Sequence, residues 1–301
     1  MDNVKGVNLN FEIYDNTTEA IAETAAFMRS IIPAFSSYQI AVQINYAFIE
    51  RYGVQINGIW VFNDTTCFSD EFFVALWNAI APIYYEYRNV VLHVGFNEPF
   101  EHFGKAEDAL AVIQREYTTF KAVINWVPYS CEIHLPSSVN FDSIKLIWQD
   151  YSDYIGLNLW VDAVVPSLGG AAANQTATLK AQEIVGLAKE YSLRYNKPIF
   201  IGELPAWYQD RFNWIVAQVC DSPKNILCVY ELWTHNWPEI PRDYALFLVG
   251  DDGTVIDNEE TLSVYNSAYK STLLNEFRPI ILAIVGLAIV SICVGYIKNN
   301  I

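Results

Sequence analysis

Two glutamates, each at the end of an apolar run, are candidates for catalysis. Glu98 lies within Asn97-Glu98-Pro99, directly after the apolar run 90–96, and Glu203 closes the apolar run 198–203. Retaining hydrolysis of a glycosidic bond needs one protonated and one ionised carboxyl group about 5–5.5 Å apart across the sugar. Two such glutamates could carry out this chemistry if the fold brings them together.

Short apolar runs rich in Val, Ile and aromatic residues alternate with helical patterns, which predicts a parallel sheet built from βα units. Eight runs close a barrel whose active site lies at the carboxyl ends of the strands, so the expected fold is a (β/α)8 TIM barrel. The runs are 4–9, 39–46, 58–62, 90–96, 122–127, 154–160, 198–203 and 226–233. Apolar stripes between them include 21/25/28/32, 73/76/80/83 and 106/110/113/117, and 262–273 marks a closing helix. Asn16, three positions before Glu19, resembles a helix start signal.

A doubly wound open sheet is the structural alternative, because residues 47–53 are too few for a helix between the second and third runs. Against it, the chain has no GxGxxG or GxxxxGK phosphate loop, which argues against a nucleotide enzyme.

The Asn97-Glu98-Pro99 motif on the fourth expected strand and Glu203 on the seventh resemble the signature of retaining β-glycosidases of glycoside hydrolase clan A. The resemblance covers about 4–274 and implies that Glu98 is the acid/base and Glu203 the nucleophile. It also implies that Asn97 binds the sugar 2-hydroxyl. Trp233, in the eighth run, is similar to the tryptophan on which the sugar ring stacks in this clan, and core packing is its alternative role.

Other polar and aromatic residues near strand ends are weaker candidates for substrate binding, and packing is the alternative for each: Trp126, Asn158, Trp160 and Asn63. His93, inside an apolar run, is expected to be a hydrogen-bonded core residue, and His134 a loop residue. Clan A members commonly carry an Arg that closes strand two, but 39–46 contains none, and Gln43 or Asn45 could take its place.

The missing Arg motivates a rival function, a catalytically silent barrel that binds glycans or serves as a structural membrane or virion-envelope protein. A second rival is an amidase or esterase on the same barrel. The sequence contains no GxSxG elbow, no HExxH pair and no clustered His ligands, so we expect no metal and no cofactor.

The composition of the chain limits the kinds of substrate and binding partner that we expect. The formal net charge of −16 disfavours nucleic acid. The resemblance to cellulases, mannanases and related β-glycanases suggests a β-linked polysaccharide or a glycoprotein glycan as substrate. The five cysteines show no CxxC or metal-type spacing.

Residues 279–297 carry no charge, and about 17–25 such residues span a hydrocarbon core. We therefore expect a barrel at 1–275 and a transmembrane helix with a short tail at 276–301, in contact with membrane lipid. Arg278 and Lys298 flank the span and leave its orientation open. No cleavable signal peptide is visible at the amino terminus, while sequons at Asn16, Asn63 and Asn174 suit an extracellular or virion-surface glycoprotein.

Overall fold

A computed structural model describes residues 6–56, 59–135, 147–159, 170–203, 227–228, 247–249 and 255–257. The chain forms two compact units, one made of residues 1–205 and 222–234 and the other of residues 206–221 and 235–301. All of the candidate site described below lies in the first unit. In the second, Phe247–Val249 (β11) and Val255–Asp257 (β12) form an antiparallel hairpin.

The first unit contains a parallel sheet of four strands in the order β1-β2-β5-β6. Its members are Gly6–Ile13 (β1), Gln39–Tyr46 (β2), Val91–Val94 (β5) and Tyr129–Ser130 (β6). Strands β2 and β5 are buried almost throughout, as expected for a parallel sheet with both faces covered.

A second parallel sheet of four strands follows in the order β10-β9-β8-β7. Its members are Glu132–Leu135 (β7), Ile155–Leu159 (β8), Ile199–Glu203 (β9) and Leu227–Cys228 (β10). Only Cys131 separates β6 from β7. The run from Tyr129 to Leu135 therefore contributes to both sheets.

Helices lie between the strands along the chain. They are Thr18–Ile31 (α1), Ile49–Tyr52 (α2), Asp70–Glu86 (α3), Ala106–Val123 (α4) and Gly170–Tyr195 (α5), with short 3-10 turns at Ile32–Phe35 and Thr65–Phe68. Helix α3 packs against both α1 and α4. The predicted stripes of α1 and α3 are confirmed at Ile21, Ala25, Met28, Phe73, Leu76, Ile80 and Ile83, all of which are buried.

The start signal of α1 was read one residue too early. Thr17 is the N-cap, and its hydroxyl accepts a hydrogen bond from the Ala20 amide. Asn16 instead bonds the Tyr52 hydroxyl and the Cys67 carbonyl. Asn and Thr are both good caps, so the sequence alone did not separate them.

The expected third barrel strand, 58–62, was wrong. Ile59–Phe62 (β4) pairs antiparallel with Gly53–Ile56 (β3), while β2 pairs directly with β5. The reason is connection length, because a parallel crossover needs a dozen or more residues whereas an antiparallel partner needs only a turn. Glu98 therefore follows the third parallel strand, and Glu203 ends the sixth when 129–135 is counted once.

The expected strand at 122–127 was also wrong. Helix α4 continues to Val123, and the strand begins only at Tyr129. The segment is apolar, and a short apolar run does not distinguish a strand from the end of a buried helix.

The predicted closing helix at 262–273 and the membrane segment at 279–297 lie outside the described residues. Among the helices that the structure does describe, none has the length and apolar character that crossing a membrane requires.

Candidate active site

Glu98 lies just beyond the carboxyl end of β5, and its backbone has a conformation that residues other than glycine rarely adopt. Its φ is 45°, and a left-handed residue other than glycine costs about 1–3 kcal/mol unless its surroundings impose it. The Glu98 carbonyl then accepts the Glu101 amide at 2.9 Å, which starts a turn. The chain thus holds Glu98 in a strained conformation at the end of the sheet where active sites of parallel barrels form.

Asn158, on β8, joins two of the predicted residues. Its side-chain amide nitrogen donates to Oδ1 of Asn97 at 3.1 Å and to Oε1 of Glu98 at 3.2 Å. Its Cα is paired in the sheet with that of Glu203, at a register shift between β8 and β9. Asn97, Glu98, Asn158 and the backbone of Glu203 therefore meet at one place, although their strands are far apart in sequence.

Glu203 is the last residue of β9, and its side chain lies outside the described part of the structure. The residue before it, Gly202, allows close packing. A Cβ atom on Gly202 would lie 1.8 Å from Oε1 of Glu132 and 2.8 Å from Oδ1 of Asn158. Glycine is therefore required here for the backbone of Glu203 to keep its place.

A second carboxylate, Glu132, lies buried beneath these residues. Its Oε2 accepts a hydrogen bond of 3.4 Å from Nε2 of Gln43, and both side chains are 1% exposed. Gln43, proposed from the sequence as a replacement for the missing Arg, thus contacts the carboxylate that packs against Gly202. Below this polar layer the core is apolar, formed by Ala41, Leu92, Val94 and Phe200 with Tyr154 against it.

A pocket of about 280 Å³ opens beside Asn97 at the carboxyl ends of β1 and β2. This volume is near the lower end of the roughly 300–1,000 Å³ typical of small-molecule sites. Its polar lining residues are Glu12, Asn45, Asn97 and His102, and its aromatic ones are Tyr46, Phe62 and Phe96. Amide and carboxylate groups beside aromatic rings suit the hydroxyl groups and apolar faces of a sugar.

Burial, the largest effect, lowers the pKa of His102 and favours its neutral form, although nearby Glu98 and Glu101 and a hydrogen bond with the Trp60 backbone act to raise that pKa. Among the described residues, its Nδ1 is buried without a hydrogen-bond partner. A neutral imidazole whose other nitrogen is bonded can accept a hydrogen bond at Nδ1.

Solved structures of carbohydrate-active enzymes match the chain over most of its length. A GH5_18 protein from Streptomyces cattleya in complex with GlcNAc is 11% identical with a TM-score of 0.57, covering 89% of this chain and 71% of its own. The β-glycosidase BGL167 is 9% identical with a TM-score of 0.53, covering 89% and 82%. Endo-glycoceramidase II from Rhodococcus sp., as its lactosyl-enzyme intermediate, is 13% identical with a TM-score of 0.51, covering 86% and 69%.

The chain has the TIM-barrel fold of these glycosidases. At 9–13% identity the likeness concerns the fold alone. No protein-family model matches the sequence, and no curated protein matches it either.

The TIM-barrel fold places the remaining predicted residues differently. Trp126 follows α4 at the amino-terminal end of the strands, where its ring packs edge-on against Tyr85 at 5.8 Å. It therefore does not join Glu98, and its position fits packing, the alternative role given above. Trp160 and Trp233 lie outside the described residues.

The two histidines singled out from the sequence have different outcomes. His93 is fully buried, with Nδ1 2.9 Å from the Tyr84 hydroxyl, which confirms a core role. His134 belongs to β7 rather than to a loop, and its Cα pairs with that of Asn158.

Several site residues were missed from the sequence, although some carried a usable signal. Glu12 stands at the carboxyl end of β1, so the rule that singled out Glu98 would have found it. Asn45, considered from the sequence only in place of the missing Arg, lines the pocket as well. Glu132 had no such signal, because the sequence reading placed no strand at 129–135, where the structure has β6 and β7. Within the described residues, no group of three or more His, Cys, Asp and Glu side chains could hold a metal ion.

Proposed function

We propose that the chain is a retaining glycoside hydrolase that cleaves β-linked glycans, with Glu98 as acid/base and Glu203 as nucleophile. The observation that carries the proposal is the position of Asn158, whose amide bonds Asn97 and Glu98 and whose Cα pairs with Glu203. The side chain of Glu98 and the backbone of Glu203 therefore adjoin the same residue, at the end of the sheet where catalytic groups of this fold collect.

The proposed reaction takes two steps. Glu203 attacks the anomeric carbon while Glu98 protonates the departing oxygen, which leaves a glycosyl-enzyme ester. Glu98 then takes a proton from water as the water displaces Glu203. Asn97 also lines the pocket, and its proposed role is to bond the sugar 2-hydroxyl.

The pocket supports an uncharged glycan as substrate. Glu12 is the one Asp or Glu among its lining residues, and no Lys or Arg lines it. A single negative charge beside amides and aromatic rings favours neutral hydroxyl groups and opposes anionic sugars. A solved relative of the fold, from Bifidobacterium longum, was crystallised with Manb1-4GlcNAc, which makes a neutral β-mannoside a sensible first probe.

We further propose that residues 279–297 anchor the enzyme in a membrane, with the barrel on the extracellular or virion side. The support is the charge-free sequence of this segment. An anchor would raise the local concentration of surface glycans. Protease treatment of intact membranes is the test, and a barrel that external protease does not reach contradicts the display.

The enzymatic test uses the full-length chain in detergent with aryl β-glycosides and β-glycans, beside Glu98→Gln, Glu203→Gln and, as a control at an exposed site, Glu107→Gln. We expect both active-site variants to lose at least about 10²-fold in kcat. A 2-fluoro glycoside should leave a covalent adduct on Glu203. Wild-type turnover by Glu203→Gln would overturn the mechanism.

A silent, glycan-binding barrel remains the second candidate because β2 lacks the Arg that clan A enzymes commonly carry. Gln43 occupies that strand and bonds Glu132 instead. This candidate predicts glycan binding without turnover of any substrate by the wild-type chain.

A further inference from the structure

The carboxyl group of Glu116, on α4, is buried among three hydrogen-bond donors. The Tyr46 hydroxyl donates to Oε1 at 2.6 Å, and the Tyr129 hydroxyl and the Phe96 amide donate to Oε2 at 2.8 Å and 2.9 Å. Glu116 is 1% exposed. One helical side chain thus connects the end of β2, the start of β6 and the segment that follows β5.

Such a group is costly to bury. Burial is the largest effect on the pKa of Glu116 and raises it, while hydrogen bonds from Tyr46, Phe96 and Tyr129 lower it. Replacing buried charged groups with well-packed apolar ones is often neutral or stabilising. The arrangement is therefore better explained by the geometry it imposes than by its contribution to stability.

That geometry concerns the segment that carries Glu98. Phe96 is two residues before Glu98, whose φ is 45°. On the other side of this segment, the Gly95 amide donates to the Ser130 carbonyl at 2.8 Å. A Cβ on Gly95 would lie 1.9 Å from the Tyr129 hydroxyl, so glycine lets Tyr129 reach Glu116. The segment is thus held by β6 on one side and by Glu116 on the other.

The same contacts fix the wall of the pocket. The Tyr46 and Phe96 rings lie 5.0 Å apart, and both line the cavity beside Asn97. Glu116 binds the hydroxyl of one and the backbone of the other. A shift of Glu116 would therefore move both the pocket wall and the turn into Asn97 and Glu98.

We propose that Glu116 is a positioning residue that holds the segment from Phe96 to Glu98 so that the Glu98 carboxyl reaches the leaving-group oxygen. This inference rests on the proposed hydrolase function. Glu116 does not touch substrate, and it acts through the Phe96 amide and the two phenols.

Three variants weaken the arrangement to different degrees. Tyr46→Phe and Tyr129→Phe each remove one donor and keep the ring, whereas Glu116→Gln places an amide NH₂ among donors. The matched control is Tyr84→Phe, which removes a buried phenol that bonds His93 instead. If Glu116→Gln does not fold, the two phenylalanine variants still test the proposal.

The readout is kcat/KM, per folded molecule, for aryl glycosides whose leaving groups differ in pKa. A dinitrophenolate departs without protonation, whereas a phenolate or an alkoxide needs the proton from Glu98. We expect Tyr46→Phe and Tyr129→Phe to lose about 10–100-fold on poor leaving groups and little on dinitrophenyl substrates, because small misplacements weaken catalysis strongly. Equal losses on all substrates in these two variants would overturn the positioning role, and Tyr84→Phe should show no dependence on the leaving group.

A second measurement separates this inference from the proposed function. Hydrogen exchange at the Phe96 amide should be faster in Tyr46→Phe, Tyr129→Phe and Glu116→Gln than in the wild type and in Tyr84→Phe. If the wild-type chain hydrolyses no substrate, the proposed function fails, and exchange still decides whether Glu116 holds the segment. Unchanged exchange at Phe96 in all three variants would overturn the proposal, with or without turnover.

Discussion

The side-chain amide of Asn158 donates a hydrogen bond to Oε1 of Glu98 at 3.2 Å. The same nitrogen reaches Oδ1 of Asn97 at 3.1 Å, while the Cα of Asn158 pairs with that of Glu203. We expect Asn158→Ala to lower kcat about 10–100-fold, because it releases both side chains from one donor. Asn78→Ala, at an exposed asparagine of α3, is the matched control. Equal kcat values for the two variants would show that Asn158 does not order the site.

Two glycines should respond to alanine in opposite ways. At Gly202 the new Cβ would lie 1.8 Å from Oε1 of Glu132, so we expect Gly202→Ala to cost about 1–3 kcal/mol of unfolding free energy. Turnover should fall as well, because the backbone of Glu203 must move. Gly186, in α5, has open space around its Cβ position, and Gly186→Ala should add about 0.5–1 kcal/mol.

Chemical denaturation measures both effects. A double variant, Gly202→Ala with Glu132→Ala, tests the cause, because removing the carboxylate makes room for the methyl group. If Gly202→Ala costs as much unfolding free energy in the Glu132→Ala background as in the wild type, the clash lies elsewhere.

The buried His93 should make the protein less stable in acid. Burial, followed by the charge of Lys121, lowers its pKa from 6.5 to about 3. Below pH 6.5 His93 binds a proton in the unfolded chain but stays unprotonated in the folded chain. The stability due to this group is therefore present above pH 6.5 and declines by about 1.4 kcal/mol per pH unit as the pH falls toward 3.

Unfolding free energies of the wild type and of His93→Gln, measured between pH 7 and 4, isolate this contribution. Glu116, whose pKa is raised, acts in the opposite direction but is present in both proteins. We expect the difference between the two proteins to shrink as the pH falls. Parallel curves would mean that His93 takes up its proton in the folded state.

Two cysteines should resist thiol reagents while the chain is folded. Burial is the main cause that raises the pKa of Cys67 to about 12 and the pKa of Cys131 well above its ordinary value. Because the thiolate is the reactive form, iodoacetamide at pH 8 should leave both unmodified and label them only in denaturant. Peptide mass spectrometry gives the answer for each site, and rapid labelling of either residue in the native protein would contradict its burial.

The charge of Glu12 should discriminate between substrates. It is the one carboxylate that lines the pocket, so we expect aryl β-glucuronides to react more than about tenfold more slowly than neutral aryl β-glycosides, owing to like-charge repulsion. Glu12→Gln should narrow that ratio, while Glu50→Gln, an exposed glutamate in α2, should leave it unchanged. A ratio that Glu12→Gln does not alter would place the sugar elsewhere.

The sequence by itself determined the class of fold and the two glutamates to inspect. Apolar runs separated by helical stripes predicted βα units, and the likeness to solved TIM-barrel glycosidases confirms that class. Residues 90–96 and 198–203 signalled parallel strands, since buried strands of this kind are apolar throughout. Glu98 and Glu203 stood out because each is a charged residue at the end of such a run.

Only the tertiary structure decided which strands are neighbours and which buried carboxylates serve the site. Pairing of β2 with β5 excluded 58–62 from the parallel sheet, because a hydrogen-bonding edge is occupied by one partner. In the α4 stripe predicted as 106/110/113/117, only Ile113 is fully buried and the other three are half-buried, whereas the fully buried face includes Glu116. Reading a helix by its apolar periodicity assigns every glutamate to the solvent-facing side. The burial of Glu116 depends on hydrogen-bond donors from Tyr46, Phe96 and Tyr129, which only folding brings together.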